Sequence, residues 1–274
     1  MPEPERTPLT AEQKAERASS FGGAASHYER HRPGPPVQAV DWVLSQPVRT
    51  VVDLGAGTGA LTRLLIGRAD EVVAVEPDDR MRAVLAESVP GVRAVAGRGE
   101  KIPLPDGSVD AVLASSSWHW MDPVPTLNEV GRVLVPGGTL AAIWSGPDPG
   151  SPFLAQAQAL LSGEGTVALD EEDQSELSRA LDDPIARESV LEIPPGVPFD
   201  QPERTAITWD VALSADELIG LLGTFSWVIL MEEAARARLF ETARRLLRDA
   251  LGVEGDVTVD VGYRTEVFKA RRHG

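Results

Sequence analysis

The chain has 274 residues, 42% of them hydrophobic, with 22 prolines and 25 glycines scattered along it, which suits one large α/β domain carrying a modest insertion. Aspartate and glutamate outnumber lysine and arginine by 42 to 26, a formal net charge of −16. Such a surface repels phosphate backbones and argues against nucleic acid as a substrate, since ARRLLRDA and KARRHG are short clusters. With no cysteine, disulfides, thiolate metal sites and cysteine nucleophiles are excluded. The opening MPEPERTPLTAEQKAERASS is charged and lacks the apolar stretch of a signal peptide, so a cytoplasmic protein is expected. The most apolar run, LIGLLGTFSWVILM, is too short to span a bilayer and reads as a buried helix pair.

In chain order, VVDLG reads as a strand and GALTRLLIGRA as a helix with Leu61, Leu64 and Leu65 on one face. EVVAVE is the next strand. PDDRMRAVLAESV follows as a helix, opened by proline and acids, with Met81, Val84 and Leu85 inward. VRAVAG and VDAVLASS are strands separated by the loop RGEKIPLPDGS, PTLNEVGRVL is a helix ended by VPGG, and TLAAIWS is a fifth strand. Alternating βα units with short loops predict a parallel sheet covered on both faces.

Beyond Gly146 the pattern changes to a linker, short helices and an acidic, proline-interrupted stretch. TAITWDVAL then reads as a strand, SADELIGLLG opens with a capping box from Ser214 to Glu217, MEEAARARLFETARRLLRDAL is a long amphipathic helix, and DVTVDVGYRTEVFKARR is one long or two short strands. The expected fold is a Rossmann-like, doubly wound, mostly parallel sheet of about seven strands with the last antiparallel. Residues 1–35 form an N-terminal lid segment, 36–148 the cofactor-binding core, and 149–204 a helical cap insertion. Residues 205–274 complete the sheet and carry the C-terminal helices.

The glycines of VVDLGAGTG mark a site where a ligand meets the backbone. Gly55 to Ala60 fit the permissive dinucleotide fingerprint, with Glu76 about twenty residues on. Asp53 tilts the choice: a carboxylate at the mouth of the loop opposes a pyrophosphate but suits S-adenosylmethionine, which carries a sulfonium and an ammonium and no phosphate.

Four stretches in sequence carry a family resemblance: VVDLGAGTGALTRLL, EVVAVEPDDRM, GRGEKIPLPDGSVDAVLASSSWHWMD and LNEVGRVLVPGGTLAAIW. Their order and spacing resemble the motifs of class I S-adenosylmethionine-dependent methyltransferases, closely over residues 51–145. FGGAASHYERHRPGPP, GTFSWVIL and YRTEVFKARR look like the small-molecule group of that superfamily. The resemblance implies that Asp53, Gly55, Ala56 and Gly57 hold the methionine portion of S-adenosylmethionine. It implies that Glu76, followed by Pro77, accepts both ribose hydroxyls, that Met81 pads the adenine, and that Gly99, Glu100 and Ser115 border the cofactor. Arg98 stands where many relatives have an acid that binds the adenine amino group, and arginine accepts no hydrogen bond. Tyr28 and Arg32 belong to a segment that folds over the cofactor, where Arg32 pairs with its carboxylate or simply lies at the surface.

His119, in SSSWHWMD, sits where the transferred methyl is expected and is the candidate catalytic base for a hydroxyl acceptor. A carboxylate acceptor needs no base, and His119 then binds or orients it. Of Trp118 and Trp120, one packs the core rim and the other stacks on the acceptor or near the sulfonium. Trp227 completes the expected acceptor site. No metal is expected, because His119 and Asp122 form no recognised ligand spacing. The reading is therefore an O-methyltransferase acting on a small hydroxyl compound, sugar-like or otherwise, or on a carboxylate. A cofactor-binding regulator without turnover and a nicotinamide-dependent oxidoreductase are the alternatives. The assembly, monomer or homodimer, is left open.

Overall fold

The structure is a computed structural model that describes Gly23, residues 25–160, Ser175, Leu177, Ser178 and residues 190–274. Most of the expected lid and the acidic stretch of the expected cap lie outside the described residues. Seven strands form one sheet: β1 (Val48–Leu54), β2 (Ala69–Val75), β3 (Arg93–Val95), β4 (Val109–Ser115), β5 (Leu134–Pro147), β6 (Glu203–Ser214) and β7 (Thr258–Arg271). Their order is β3-β2-β1-β4-β5-β7-β6, and β7 alone runs against its neighbours. The expected mostly parallel sheet with an antiparallel last strand is what forms.

The central strands are β-branched and apolar because both of their faces are covered. Val52, Leu54, Val112, Ala114 and Leu140 belong to one core layer, while Val51, Ala111, Leu113, Ala141 and Ile143 belong to the opposite one. The period of two thus assigns successive side chains to opposite layers. The helices flanking the sheet are α1 (Ala25–His31), α2 (Val37–Val43), α3 (Ala60–Leu65), α4 (Asp79–Ser88) and α5 (Pro123–Val133). Leu61 and Leu65 of α3 are buried as the helical spacing predicts, and so are Met81 and Leu85 of α4.

Two boundaries differ from the sequence reading. The helix α3 stops at Leu65 and does not run on to Ala69: Ile66 is extended and bridges Ala69, and Gly67 turns back at φ 78°. β5 begins at Leu134, so VPGG lies inside the strand and not after the helix. A register shift against β4 absorbs it, Gly137 adopts φ 75°, and its N–H donates to the Arg272 carbonyl.

A second apolar cluster stands apart from the sheet. It joins α6 (Pro152–Ala159) and Leu177 to the helices between β6 and β7: α7 (Ala215–Leu222), α8 (Ser226–Ile229) and α9 (Glu233–Leu251). The capping box at Ser214 and Glu217 is present and starts α7 directly where β6 ends. The cap is therefore built from two stretches of chain separated by a strand. Among the described residues, no helix is long and apolar enough to cross a membrane.

α1 lies on α7 through a close fit. Gly220 and Gly223, three residues apart on one face, receive the rings of His31 and His27, which lie 4.3 Å apart. His27 Nε2 donates to the Gly220 carbonyl at 2.9 Å, and His31 Nδ1 donates to the His27 carbonyl at 3.0 Å. A Cβ at Gly220 would collide with the His31 ring, and one at Gly223 would sit 2.8 Å from His27 Nε2. Glycine costs a helix about 1 kcal/mol relative to alanine, so tolerating it here points to the need for room. Gly220→Ala is expected to lower stability by about 1–3 kcal/mol through overpacking. Adding His31→Ala to it should restore most of that loss, as measured by denaturant unfolding of both single variants and the double.

Candidate active site

The site lies at the carboxyl edge of the parallel strands, where open α/β sheets bind ligands. A cleft of about 800 Å³ opens there, within the range of small-molecule sites. Its floor is the loop after β1. Gly55, Gly57 and Gly59 all have positive φ, at 71°, 55° and 97°, which only glycine adopts without strain. Their surroundings differ. A Cβ on Gly55 would lie 2.5 Å from Ser117 Cβ, and one on Gly59 would lie 2.9 Å from Val89, so both are also required by packing. Gly57 alone has open space beside it.

Two buried carboxylates face this loop. Glu76, at the end of β2, accepts the Gly57 N–H on one oxygen and the Asp78 N–H on the other, each at 2.9 Å. Burial raises its pKa, and those two backbone donors oppose the rise. Each oxygen keeps a further lone pair for a ligand hydroxyl. Asp53, near the end of β1, takes the Thr62 hydroxyl at 2.6 Å on Oδ2. Its Oδ1 is buried and has no hydrogen-bond partner. Burial, with the nearby Glu76 charge adding to it, pushes the Asp53 pKa up to about 7. A buried carboxylate with one bare oxygen is the complement of a ligand cation.

The remaining expected cofactor residues also converge on the cleft. Met81, Pro77, Gly99, Glu100, Ala56 and Ser115 all line it. Gly99 has no room for a side chain, because a Cβ there would lie 2.6 Å from Met121 Sδ and 2.8 Å from Thr126 Oγ1. Glu100 accepts the Asp122 N–H at 2.9 Å, which ties the loop after β3 to the turn after β4, and Arg98 approaches it to 3.7 Å. Tyr28, within α1, and Arg32, just beyond it, line the opposite rim, and the Arg32 guanidinium sits 5.3 Å from the Phe225 ring centre.

The WHW triplet forms a single 3-10 turn, Trp118–Trp120, that separates its members. His119 and Trp120 line the cleft with their rings 4.5 Å apart. Trp118 turns inward, is buried in the sheet core and is not among the residues lining the cleft, so it is the member of the expected pair that packs the core. Trp227 is likewise not among the residues lining the cleft: it lies on α8 and packs against the apolar cluster of the cap. His119 Nδ1 accepts a hydrogen bond from the Trp144 indole at 3.3 Å. Trp144 is buried on β5, edge-on to Phe268 at 5.8 Å. Tryptophan can only donate, so Nδ1 is the bare nitrogen and the ring proton resides on Nε2.

Several lining residues were not foreseen. Thr58, Ser116, Met121, Ser145, Thr224 and Phe225 all contribute to the cleft. Ser116 is the only described non-glycine residue at positive φ, 51°, a costly conformation that clusters at functional loops. The SSS run preceding WHW was the available signal for it. Thr62 and Trp144, which hold Asp53 and His119, gave no signal, because each is defined by a partner from another element. Among the described residues, no group of three histidine, aspartate or glutamate side chains is placed to hold a metal ion.

Comparison with known proteins agrees with this geometry. Residues 52–142 match the family described as a methyltransferase domain. An uncharacterized methyltransferase of Mycobacterium tuberculosis is 36% identical over 228 residues, covering 83% of this chain and 85% of its own length. An uncharacterized methyltransferase-like protein of Schizosaccharomyces pombe is 26% identical, over 92% of this chain and 95% of its own. In fold, the chain is similar to a protein assigned as a type II methyltransferase from Anaeromyxobacter dehalogenans. The TM-score is 0.62 at 23% identity, covering 88% of this chain and 97% of that one. The chain belongs to the S-adenosylmethionine-dependent methyltransferases.

Proposed function

We propose that this methyltransferase modifies an oxygen of a small-molecule acceptor, and that the oxygen belongs to a carboxylate. The carrying observation is the Trp144–His119 hydrogen bond. A general base needs a lone pair at the nitrogen that meets the acceptor. Here the lone pair lies at Nδ1 and is occupied by the indole N–H, so the proton-bearing Nε2 serves as a donor. A donor suits an acceptor oxygen that is already anionic and needs no base. On this reading His119 takes the second of its two expected roles, orienting an anionic acceptor, and does not act as a base.

The donor supplies an electrophilic methyl on a sulfonium: an O–C bond forms as the C–S bond breaks, the electron pair passes to sulfur, and the products are a neutral methyl ester and a thioether. No proton moves. The chain's own contribution is to place the two reactants on one axis and keep water out. Asp53 Oδ1 accepts the ammonium of the donor, Glu76 takes the ribose hydroxyls on its remaining lone pairs, and Met81 packs on the adenine. Gly99 and the loop it begins border the adenine edge, Arg32 binds the donor carboxylate, and Trp120 covers the acceptor beside His119. Asp53 and Glu76 support these roles because both are buried, both line the cleft, and Asp53 Oδ1 has no hydrogen-bond partner.

Two outcomes are expected for Asp53. Its carboxyl is raised from the ordinary value to about 7, so its charged form weakens the unliganded fold progressively as pH rises from about 4 through 7. Asp53→Asn should thus raise the melting temperature of the unliganded protein at about pH 8. The donor cation requires the charged form, so wild-type affinity for S-adenosylmethionine should fall toward about tenfold per pH unit below about 7. In Asp53→Asn it should be about 30-fold weaker or more, and flat with pH. Calorimetric titration across pH measures both, and a pH-independent wild type would remove Asp53 from the donor site.

For His119, Gln keeps an N–H near the Nε2 position while Phe keeps only the ring shape. His119→Phe should lose about 10- to 100-fold in kcat/KM and His119→Gln distinctly less. The wild-type rate should show no rise tracking histidine deprotonation once the dependence of donor binding on Asp53 is saturated. Methyl label transferred to product should be released as methanol by mild alkali, as an ester demands. An alkali-stable ether would overturn the carboxylate reading.

A further inference from the structure

We infer that the acceptor carries an apolar group, about the size of a benzene ring, which occupies a second cavity inside the cap behind Phe225. This inference rests on the reading of a small-molecule oxygen acceptor and names what the rest of that molecule is. The cavity holds about 130 Å³ between α6, α7 and α9. Every described residue lining it is apolar, including Phe153, Leu218, Leu222 and Leu247. Two alanines, Ala157 on α6 and Ala243 on α9, leave the room where larger side chains would close it.

Phe225 lines this cavity and the methyl-transfer cleft alike, so the two spaces adjoin at its side chain. The floor is continuous as well: Ser145 of β5 lines the cleft and Pro147, two residues on, lines the cavity. Water gains nothing in such a space, because it finds no polar partners, whereas apolar cavities of comparable size take up benzene. The acceptor oxygen thus lies beside His119, and an aryl or short branched alkyl substituent extends past Phe225 into the cap. A sugar, polar on every side, does not fit this geometry.

The test uses equilibrium binding to the 274-residue chain saturated with S-adenosylhomocysteine, read by calorimetry for two matched pairs: acetate with hydrocinnamate, and ethanol with hydrocinnamyl alcohol. In at least one pair the aryl member should bind about tenfold more tightly or better. Ala243→Phe, which fills the cavity from α9, should abolish that gain while leaving the affinity for S-adenosylhomocysteine unchanged. Ala157→Leu fills it from the opposite wall and serves if Ala243→Phe does not fold. Phe225→Ala should merge the two spaces and extend the gain to bulkier aryl groups. The inference is overturned if neither pair shows an aryl gain, or if the gain survives in the folded cavity-filling variants. An aryl gain among alcohols alone would keep the cavity assignment and defeat the carboxylate reading instead.

Discussion

The carboxylate of Asp53 is the constraint around which the site is arranged. It sits near the end of a central strand, one oxygen bonded to Thr62 and the other facing no donor. Leaving a buried oxygen bare is unfavourable, and in a folded chain such a cost persists where function requires it. The neighbouring Glu76 accepts one backbone N–H on each oxygen and so fixes the loop position of Gly57 against the end of β2. The two acids therefore divide the work: one organises the loop, and the other remains open to a cation.

The second half of the site depends on the core in a different way. His119 sits on a 3-10 turn whose first residue, Trp118, is embedded in the sheet core. Its Nδ1 is held by Trp144, itself packed against Phe268 of β7. The imidazole thus takes its orientation and its tautomer from buried aromatic side chains on two strands. The antiparallel closing strand, remote in sequence, reaches the cleft's His119 indirectly, through the packing of Phe268 on Trp144.

The convergence of Asp53, Gly57 and Glu76 on one cleft was legible in the sequence because it is encoded locally. Asp53, Gly57 and Glu76 are placed by the ends of two adjacent strands, and strand ends can be read from β-branched runs followed by glycine or an acid. Residues whose roles come from partners in other elements were not legible. Nothing at Trp144 or Thr62 announces a bond to His119 or Asp53. The WHW triplet implied that one tryptophan is buried, but the direction of the turn decides that it is Trp118. VPGG reads as a helix stop, and only the pairing of β5 with β4 and β7 shows that it continues a strand through a bulge.

The acceptor side was least legible, and the reason is topological. The walls of the cap, which the proposed acceptor would occupy, come from α6, before β6, and from α7 to α9, after it, two stretches separated by a strand of the sheet. The apolar run Leu218 to Met231 carries the sign of a buried helix pair, which it forms, yet gives no indication that Phe225 at its centre touches two separate spaces. The same arrangement lets the two halves of the site vary independently. The donor side is locked to the sheet by backbone hydrogen bonds and has no spare volume at Gly55, Gly59 or Gly99. The acceptor side is bounded by side chains of the cap, where exchanging an alanine for a larger residue alters cavity shape without touching the strands. On the proposed reading, selection among acceptors falls to the cap, while the donor loop belongs to the sheet.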